Sequence, residues 1–361
     1  MLYRKSIVFY CFKFLKQLHL TLLNNTRNGI VIIIRLFSIL CQFRNGGDSM
    51  DNKKALDILE NLKKVIIGKD DVLEKVLITI LAKGHLLIED VPGVGKTTLV
   101  KTLARSMNLS YKRVQFTPDL MPSDIIGVSI YDKDTGAFTF KKGAIFNQIF
   151  LADEINRTSP KTQSSLLQAM EEGEVSTEEG HYILEKPFMV LATQNPLEYQ
   201  GTFPLPEAQL DRFLMRLSLG YPDKSYEIEI LKNYQSIKKL NLIEPVASQE
   251  DILNMQSIVD NLTVHDDIID YIVSISNATR DFRDLQLGVS PRASIDLLKA
   301  AKAKAFLAGR DYVIPDDVKS MVTSVLGHRI ILSPEAKIER KSVEEVLKEV
   351  LSRMYVPVSM K

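Results

Sequence analysis

Residues 86–98 read Leu86-Leu87-Ile88-Glu89-Asp90-Val91-Pro92-Gly93-Val94-Gly95-Lys96-Thr97-Thr98, an apolar strand that passes through a glycine turn into a helix. Gly93 and Gly95 remove side chains where a backbone must wrap a phosphate chain and turn its N–H groups inward. Lys96 brings a cation to the outer phosphates, and the Thr97 hydroxyl suits a magnesium ion. Pro92, Val94 and Thr98 complete the expected cradle, and the helix from Lys96 adds its N-terminal dipole to the same anion site. Asp90 stands where the general pattern has its first glycine. The later glycines make most of the phosphate approach, so the departure weakens the match little. The plain alternative is a Gly/Pro turn ahead of an ordinary helix.

A chain of 361 residues has room for about two domains, and 45% hydrophobic with 25% charged residues is the composition of a soluble globular protein. The net charge of +1 hides an asymmetry. The first fifty residues carry seven basic side chains (Arg4, Lys5, Lys13, Lys16, Arg27, Arg35, Arg44) against Asp48 alone. That leaves 39 basic and 44 acidic residues for 51–361, a net of −5. A mildly acidic body argues against a nucleic-acid footprint spread over the protein, and a dedicated nucleic-acid module is not expected. Cys11 and Cys41 both lie in the leader, so the body has neither a disulfide nor a thiolate metal site, which suits the reducing cytoplasm. The five histidines show no metal spacing, and His181 reads as a surface residue rather than a ligand.

The leader, 1–49, stands apart. Its apolar run from Ile30 to Phe43 is broken by Arg35 and falls short of the ~20 residues a membrane span needs. No convincing signal-peptide cleavage site follows it. Mixed basic and apolar residues permit a membrane-surface helix. A misassigned start fits better: Gly46-Gly47-Asp48 can be encoded as GGAGGTGAT, a bacterial ribosome-binding sequence just ahead of the Met50 codon. The expected native start is therefore Met50, and the DNA or the N-terminal mass tests it.

Within the body, helical spacing over Asp51–Lys64 and Asp70–Lys83 leads into the loop strand. Four more short apolar runs, Tyr111–Phe116, Gln148–Ala152, Phe188–Ala192 and Phe213–Leu219, alternate with helical or loop segments. Strands buried on both faces and separated by helices predict a parallel, three-layer α/β sheet over 51–222. From 223 to 361 the pattern becomes helical, over 224–239, 248–261, 265–280, 290–308, 315–326 and 338–354, and predicts an all-helical second domain. Two hairpins are expected, one between Phe116 and Phe146 and one over Glu174–Leu184.

Ile149-Phe150-Leu151-Ala152-Asp153-Glu154 is an apolar strand ending in two acids, at the end where a doubly wound sheet holds its ligand. Asp153 suits the magnesium shell and Glu154 suits a base for an attacking water; a solvated strand end is the alternative. Asn195, closing Ala192-Thr193-Gln194-Asn195-Pro196, offers a donor and an acceptor to orient that water, unless it only makes an Asn-Pro turn. Arg212 either pairs with local acids, Asp211 among them, or serves the phosphates of a neighbouring subunit. Ser290 and Pro291 open a helix as cap and first residue, so that Arg292 projects from its first turn. There it is either solvated or reaches the nucleotide across the cleft between the domains.

Together these segments resemble the AAA+ ATPases, and within them the MoxR family, over about 51–355. Val91–Thr97 is similar to the Walker A loop, including Asp90 before it. Leu151–Arg157 is similar to the Walker B segment, Thr193–Pro196 to sensor 1, Leu210–Phe213 to the arginine-finger box and Ser290–Arg292 to sensor 2. Val65-Ile66-Ile67-Gly68 falls where the family lines its adenine pocket, which implies Ile67 and Gly68 as nucleotide contacts. The resemblance implies ATP and Mg²⁺ as cofactors and hydrolysis at the interfaces of a ring, a hexamer. It also implies a helical lid domain and a chaperone-like role in maturing or activating partners, often ones with von Willebrand factor A domains. Alternatives are a nucleotide-gated scaffold with negligible turnover, a DNA-remodelling ATPase and a magnesium-chelatase-like motor subunit.

Overall fold

The structure, a computed structural model, describes residues 50–357 except 135, 178–179, 197–200 and 233–242. The expectations for the leader, and for the far end of the helix over 224–239, lie outside these residues. Asp51–Lys361 forms one compact unit.

Two amphipathic helices begin it, α1 (Met50–Val65) and α2 (Asp70–Leu81). Ala55, Ile58 and Leu62 of α1 are fully buried, at the spacing of one helical face. Next come β1 (Leu86–Glu89), α3 (Lys96–Ser106), β2 (Tyr111–Gln115) and the short α4 (Pro122–Ile126). The first expected hairpin is β3 (Gly127–Asp132) with β4 (Ala137–Lys142). After β5 (Ile149–Asp153) and α5 (Pro160–Glu172) comes the second, β6 (Glu174–Thr177) with β7 (Gly180–Ile183). β8 (Met189–Gln194), α6 (Glu207–Leu210) and β9 (Met215–Leu217) complete this part.

The central sheet has the order β2-β5-β8-β1-β9, with every pair parallel. β5 is buried throughout and β8 at all but its last residue, as apolar runs in a covered parallel sheet require. Alternate residues of β1 face opposite layers. Leu86 and Ile88 join the core with α3 and the C-terminal helices, while Leu87 packs with Phe150, Val190 and Leu166 of α5. β1 leads leftward to β2, and β8 leads rightward across β1 to β9. The connections from these two neighbouring strands therefore run in opposite directions, which places a crevice at the carboxyl ends of β1 and β8.

β2 corrects one expectation. It is an edge strand, with Lys112, Arg113 and Gln115 exposed, rather than an apolar strand covered on both faces. Its charged residues are tolerated because only one neighbour covers it.

The chain then becomes helical: α7 (Lys224–Lys232), α8 (Gln249–Asp260) and α9 (Asp266–Arg280), a short β10 (Leu285–Leu287), then α10 (Pro291–Leu307) and α11 (Pro315–Leu326). β11 (Ile331–Leu332), α12 (Pro334–Ile338) and α13 (Val343–Ser352) follow. Ser248, Ser290 and Ser342 cap α8, α10 and α13 through their hydroxyls. The antiparallel ribbon β10–β11 departs from an all-helical region; at three and two residues it leaves no periodic trace. The helix expected over 338–354 breaks because Arg340 takes a left-handed φ of +57° and Ser342 starts a new helix. The change of pattern near 222 is not a break in packing. Leu73, Leu99, Leu191, Leu297 and Val325 belong to one buried cluster, and Lys304 of α10 reaches Glu74 of α2 at 2.5 Å.

The two hairpins meet. Phe140 of β4 stacks on Tyr182 of β7 with ring centroids 4.2 Å apart and planes 24° apart. Among the described residues no helix is long and apolar enough to cross a membrane.

Candidate functional site

At the crevice between β1 and β8, the loop 90–95 joins β1 to α3. Gly93 and Gly95 have φ of +89° and +93°, values that a side chain would strain. A Cβ on Gly93 would meet nothing within 4 Å, so conformation rather than space demands glycine there. Gly95 caps α3 without a side-chain hydrogen bond, and the first turn holds no acid. The N–H groups of that turn thus await an acceptor, which is what an anion supplies. Lys96 lies at the same place, its Nζ donating to the main-chain oxygen of Asp90 at 2.9 Å. Pro92 and Gly93 are exposed, and Val94 packs against the core from the loop.

Two further segments border the loop. Gly68 has a φ of +75°, and a Cβ there would run into the ring of Tyr226 on α7. Gly68 therefore faces the first helix after the sheet, with Ile67 next to it in the chain, and Tyr226 is a neighbour that the sequence did not single out. Ile66, beside them, comes within 4.0 Å of where a Gly95 Cβ would stand.

The acids at the end of β5 are held in a hydrogen-bond network. The Thr193 hydroxyl donates to Asp153 Oδ1 at 2.6 Å and accepts from the Glu154 N–H at 2.9 Å. Asp153 Oδ2 accepts from Arg113 Nε and Nη2 at 3.0 and 2.7 Å. Glu154 takes a left-handed φ of +59°, and its Oε2 accepts from Gln115 Nε2 at 2.6 Å and from Arg157 Nη1 at 2.8 Å. A non-glycine residue in this region carries strain of order 1 kcal/mol or more, commonly found at functional sites. Arg113 and Gln115 were missed from sequence. Their only signal is that they alternate on one face of an edge strand whose register sets Gln115 opposite Asp153. Asn195 is buried at the end of β8, beside Asp90, whose N–H donates to the Gln194 oxygen at 3.1 Å.

Thr97 and Asp153 offer a hydroxyl and a carboxylate, the hard oxygen donors that Mg²⁺ prefers, so the residues suit that ion. Among the described residues no cluster of three or more His, Cys, Asp or Glu exists to hold a metal by itself. Phosphate and water would have to complete the shell of such an ion.

Arg212 and Arg292 lie elsewhere. Both pair with Glu171 at the end of α5, Arg212 Nη2 to Oε2 at 3.1 Å and Arg292 Nη1 to Oε1 at 2.8 Å. The preceding Met170 oxygen meets Nε2 of His85, the residue before β1, at 3.0 Å. Arg212 itself precedes β9, which runs parallel to β1. The pair of arginines therefore sits at the amino ends of the strands, separated from the phosphate loop by the ~13 Å length of β1. The expectation that Arg292 reaches the nucleotide of its own chain is corrected here. α10 starts beside the amino end of β9, so Arg292 projects away from that chain's loop. Asp211 does not pair with Arg212 either. It forms an ion pair with Arg329, Oδ1 lying 2.9 Å from Nε, and accepts a hydrogen bond from the Ser290 hydroxyl at 3.1 Å. Desolvation lowers the pKa of His85 to about 4, and the nearby Arg292 cation adds to the effect. The ring is neutral, accepting from the Val190 N–H at Nδ1 and donating to Met170 at Nε2.

Comparison with known proteins gives the family of this fold. Residues 85–215 match the ATPase family associated with various cellular activities (AAA), and residues 277–350 match the AAA lid domain. The chain is 52% identical over 301 residues to the uncharacterized protein YeaC of Bacillus subtilis (strain 168), covering 83% of this chain and 94% of that one. It is 41% identical over 309 residues to the chaperone MoxR1 of Mycobacterium tuberculosis (strain ATCC 25618 / H37Rv), covering 82% and 80%. Its structure resembles a crystal structure from Cytophaga hutchinsonii ATCC 33406 with a TM-score of 0.79 and 39% identity, covering 85% of this chain and 96% of that one. With a parallel sheet carrying the phosphate loop and helices matching the lid, the chain belongs to the MoxR family of AAA+ ATPases.

Proposed function

We propose that this protein binds ATP with Mg²⁺ at the loop 90–98 and hydrolyses it at the interfaces of a ring, a hexamer, to remodel protein clients. Residues 51–222 form the nucleotide-binding part and 223–361 the lid. The carrying observation is that the phosphate loop and the Arg212–Arg292 pair occupy opposite ends of one sheet. A complete site then needs the loop of one copy and the arginines of another.

In that site the loop N–H groups and Lys96 hold the phosphates, with Lys96 leaving the Asp90 oxygen to do so. Ile67, Gly68 and Tyr226 border the base. Bound metal would neutralise phosphate charge, with Thr97 and Asp153 as its protein ligands. Glu154 accepts a proton from the attacking water, and Asn195 orients that water. The neighbour's Arg212 and Arg292 stabilise charge on the transferred phosphoryl.

The chaperone reading is supported by the relative named a chaperone. We extend it to partners with von Willebrand factor A domains, and place the cysteine-free body in the cytoplasm. Mixing two inactive variants tests the shared site. Glu154→Gln and Arg212→Ala are each expected to turn over little, and a mixture to regain activity where an intact Glu154 faces an intact Arg212. A mixture as inactive as its parts overturns the shared site. Capture of a partner by Glu154→Gln with ATP then tests the client class, and recovery of no von Willebrand factor A protein counts against it.

A further inference from the structure

Asp90 breaks the glycine pattern of the phosphate loop, and its contacts give the break a physical meaning. The side chain is buried, yet among the described residues no cation pairs with it. Its carboxylate accepts instead from two successive backbone N–H groups. Leu219 N donates to Oδ2, and Gly220 N donates to Oδ2 at 3.1 Å and Oδ1 at 3.2 Å. Gly220 takes a left-handed φ of +60°, which turns both N–H groups toward one acceptor, a small anion nest. Asp90 is not among the residues of positive φ, so glycine is not required at this position.

The nest lies where the sheet hands over to the helices. Just beyond it, the Tyr221 oxygen accepts from Lys69 Nζ at 2.9 Å, and Tyr226 covers Gly68. On its other side, the Asp90 main-chain oxygen is where the Lys96 ammonium rests, and its N–H donates to Gln194. One buried residue thus joins the phosphate loop, the end of β8 and the segment leading to α7.

We propose that Asp90 is a positioning residue that ties the setting of the phosphate loop to residues 219–223, so that nucleotide in the loop is felt by the helices that follow. The inference rests on the nucleotide reading above. A phosphate that draws Lys96 off the Asp90 oxygen releases that peptide. The carboxylate, still held by Leu219 and Gly220, passes the displacement to the segment that carries Tyr221 and Tyr226. Glycine at position 90 leaves the loop its shape and cuts the tie.

The chain contains no tryptophan, so Tyr221→Trp, at a side chain 72% exposed, installs a single reporter on that segment. In this background, ADP binding is followed by calorimetry and by tryptophan emission, and ATP turnover gives kcat and KM. The reporter protein is expected to bind ADP with a change in emission. Adding Asp90→Gly is expected to hold ADP affinity and KM within about threefold, abolish the emission change and lower kcat by about tenfold or more. Asp90→Asn, which keeps one acceptor oxygen, is expected to retain part of both. Three results overturn the inference alone: an emission change and kcat that survive Asp90→Gly, nucleotide binding without an emission change in the reporter protein, or a joint loss of binding and thermal stability that Asp90→Asn does not relieve. A reporter protein that binds no ADP overturns the nucleotide reading itself, and this inference with it.

Discussion

Gln115 Nε2 stands 2.6 Å from Glu154 Oε2, joining the exposed edge strand to the acid at the end of β5. Arg157 approaches the same oxygen, so both donors hold one side of the carboxylate. Gln115→Ala removes a restraint on the group proposed to accept the proton. A rise in basal kcat of about threefold with unchanged KM is expected. Steady-state phosphate release reads it, and an unchanged or lower kcat argues that Gln115 does not restrain Glu154. Glu154→Gln itself is expected to lower kcat by about a hundredfold or more, the range of general-base catalysis.

In the proposed site, Arg113 and Mg²⁺ would compete for the same carboxylate. The guanidinium makes two hydrogen bonds to Asp153 Oδ2, but it is itself 45% exposed, which limits what the pair contributes. Arg113→Ala is expected to lower the Mg²⁺ concentration for half-maximal ATP turnover by about threefold. A titration at saturating ATP measures this. A shift to higher Mg²⁺ means that Arg113 assists the metal instead of competing with it.

Glu171 pairs with two arginines at the end of the sheet away from the loop, leaving a net positive charge there. Arg212→Ala is therefore expected to leave the ADP affinity of dilute protein within about threefold while lowering turnover of the assembled protein by about a hundredfold or more. If affinity and turnover fall in parallel, Arg212 serves its own chain's nucleotide.

His85 gives stability a pH dependence. Its folded pKa is lowered to about 4 from an unfolded value of 6.5, so the unfolded chain binds the extra proton first. The contribution is fully present above pH 6.5 and is lost as pH falls toward 4, reaching a loss of about 2 kcal/mol at pH 5. Urea denaturation at pH 7.5 and pH 5 is expected to show a loss in His85→Gln smaller than the parent's by about that amount, the buried His328, whose pKa desolvation also lowers, contributing to both. Equal losses in the two proteins remove His85 as the cause.

The phosphate loop, the acidic strand end and the α/β order were legible because each follows from local rules. Gly93 and Gly95 are required by their φ values, and β5 and β8 are apolar runs because both faces are covered. What failed to show depends on register and on which end of the sheet an element meets. Arg113 and Gln115 become partners of Asp153 and Glu154 only when β2 pairs with β5 in one register. Arg292 reads equally well as facing either end of the sheet until α10 is placed against it. Tyr226 meets Gly68 across more than 150 residues, a closeness no local pattern encodes.

The stack of Phe140 on Tyr182 makes two loops of separate origin into one lever. Phe140 also lies edge-on to Phe146, which anchors the outer hairpin to the sheet's own core. From Tyr182 the chain needs only seven residues to begin β8, the strand that ends in Gln194 beside the phosphate loop. A displacement of β3–β4 would therefore have a short path, through packed rings and seven residues of chain, to the strand that ends beside the phosphate loop.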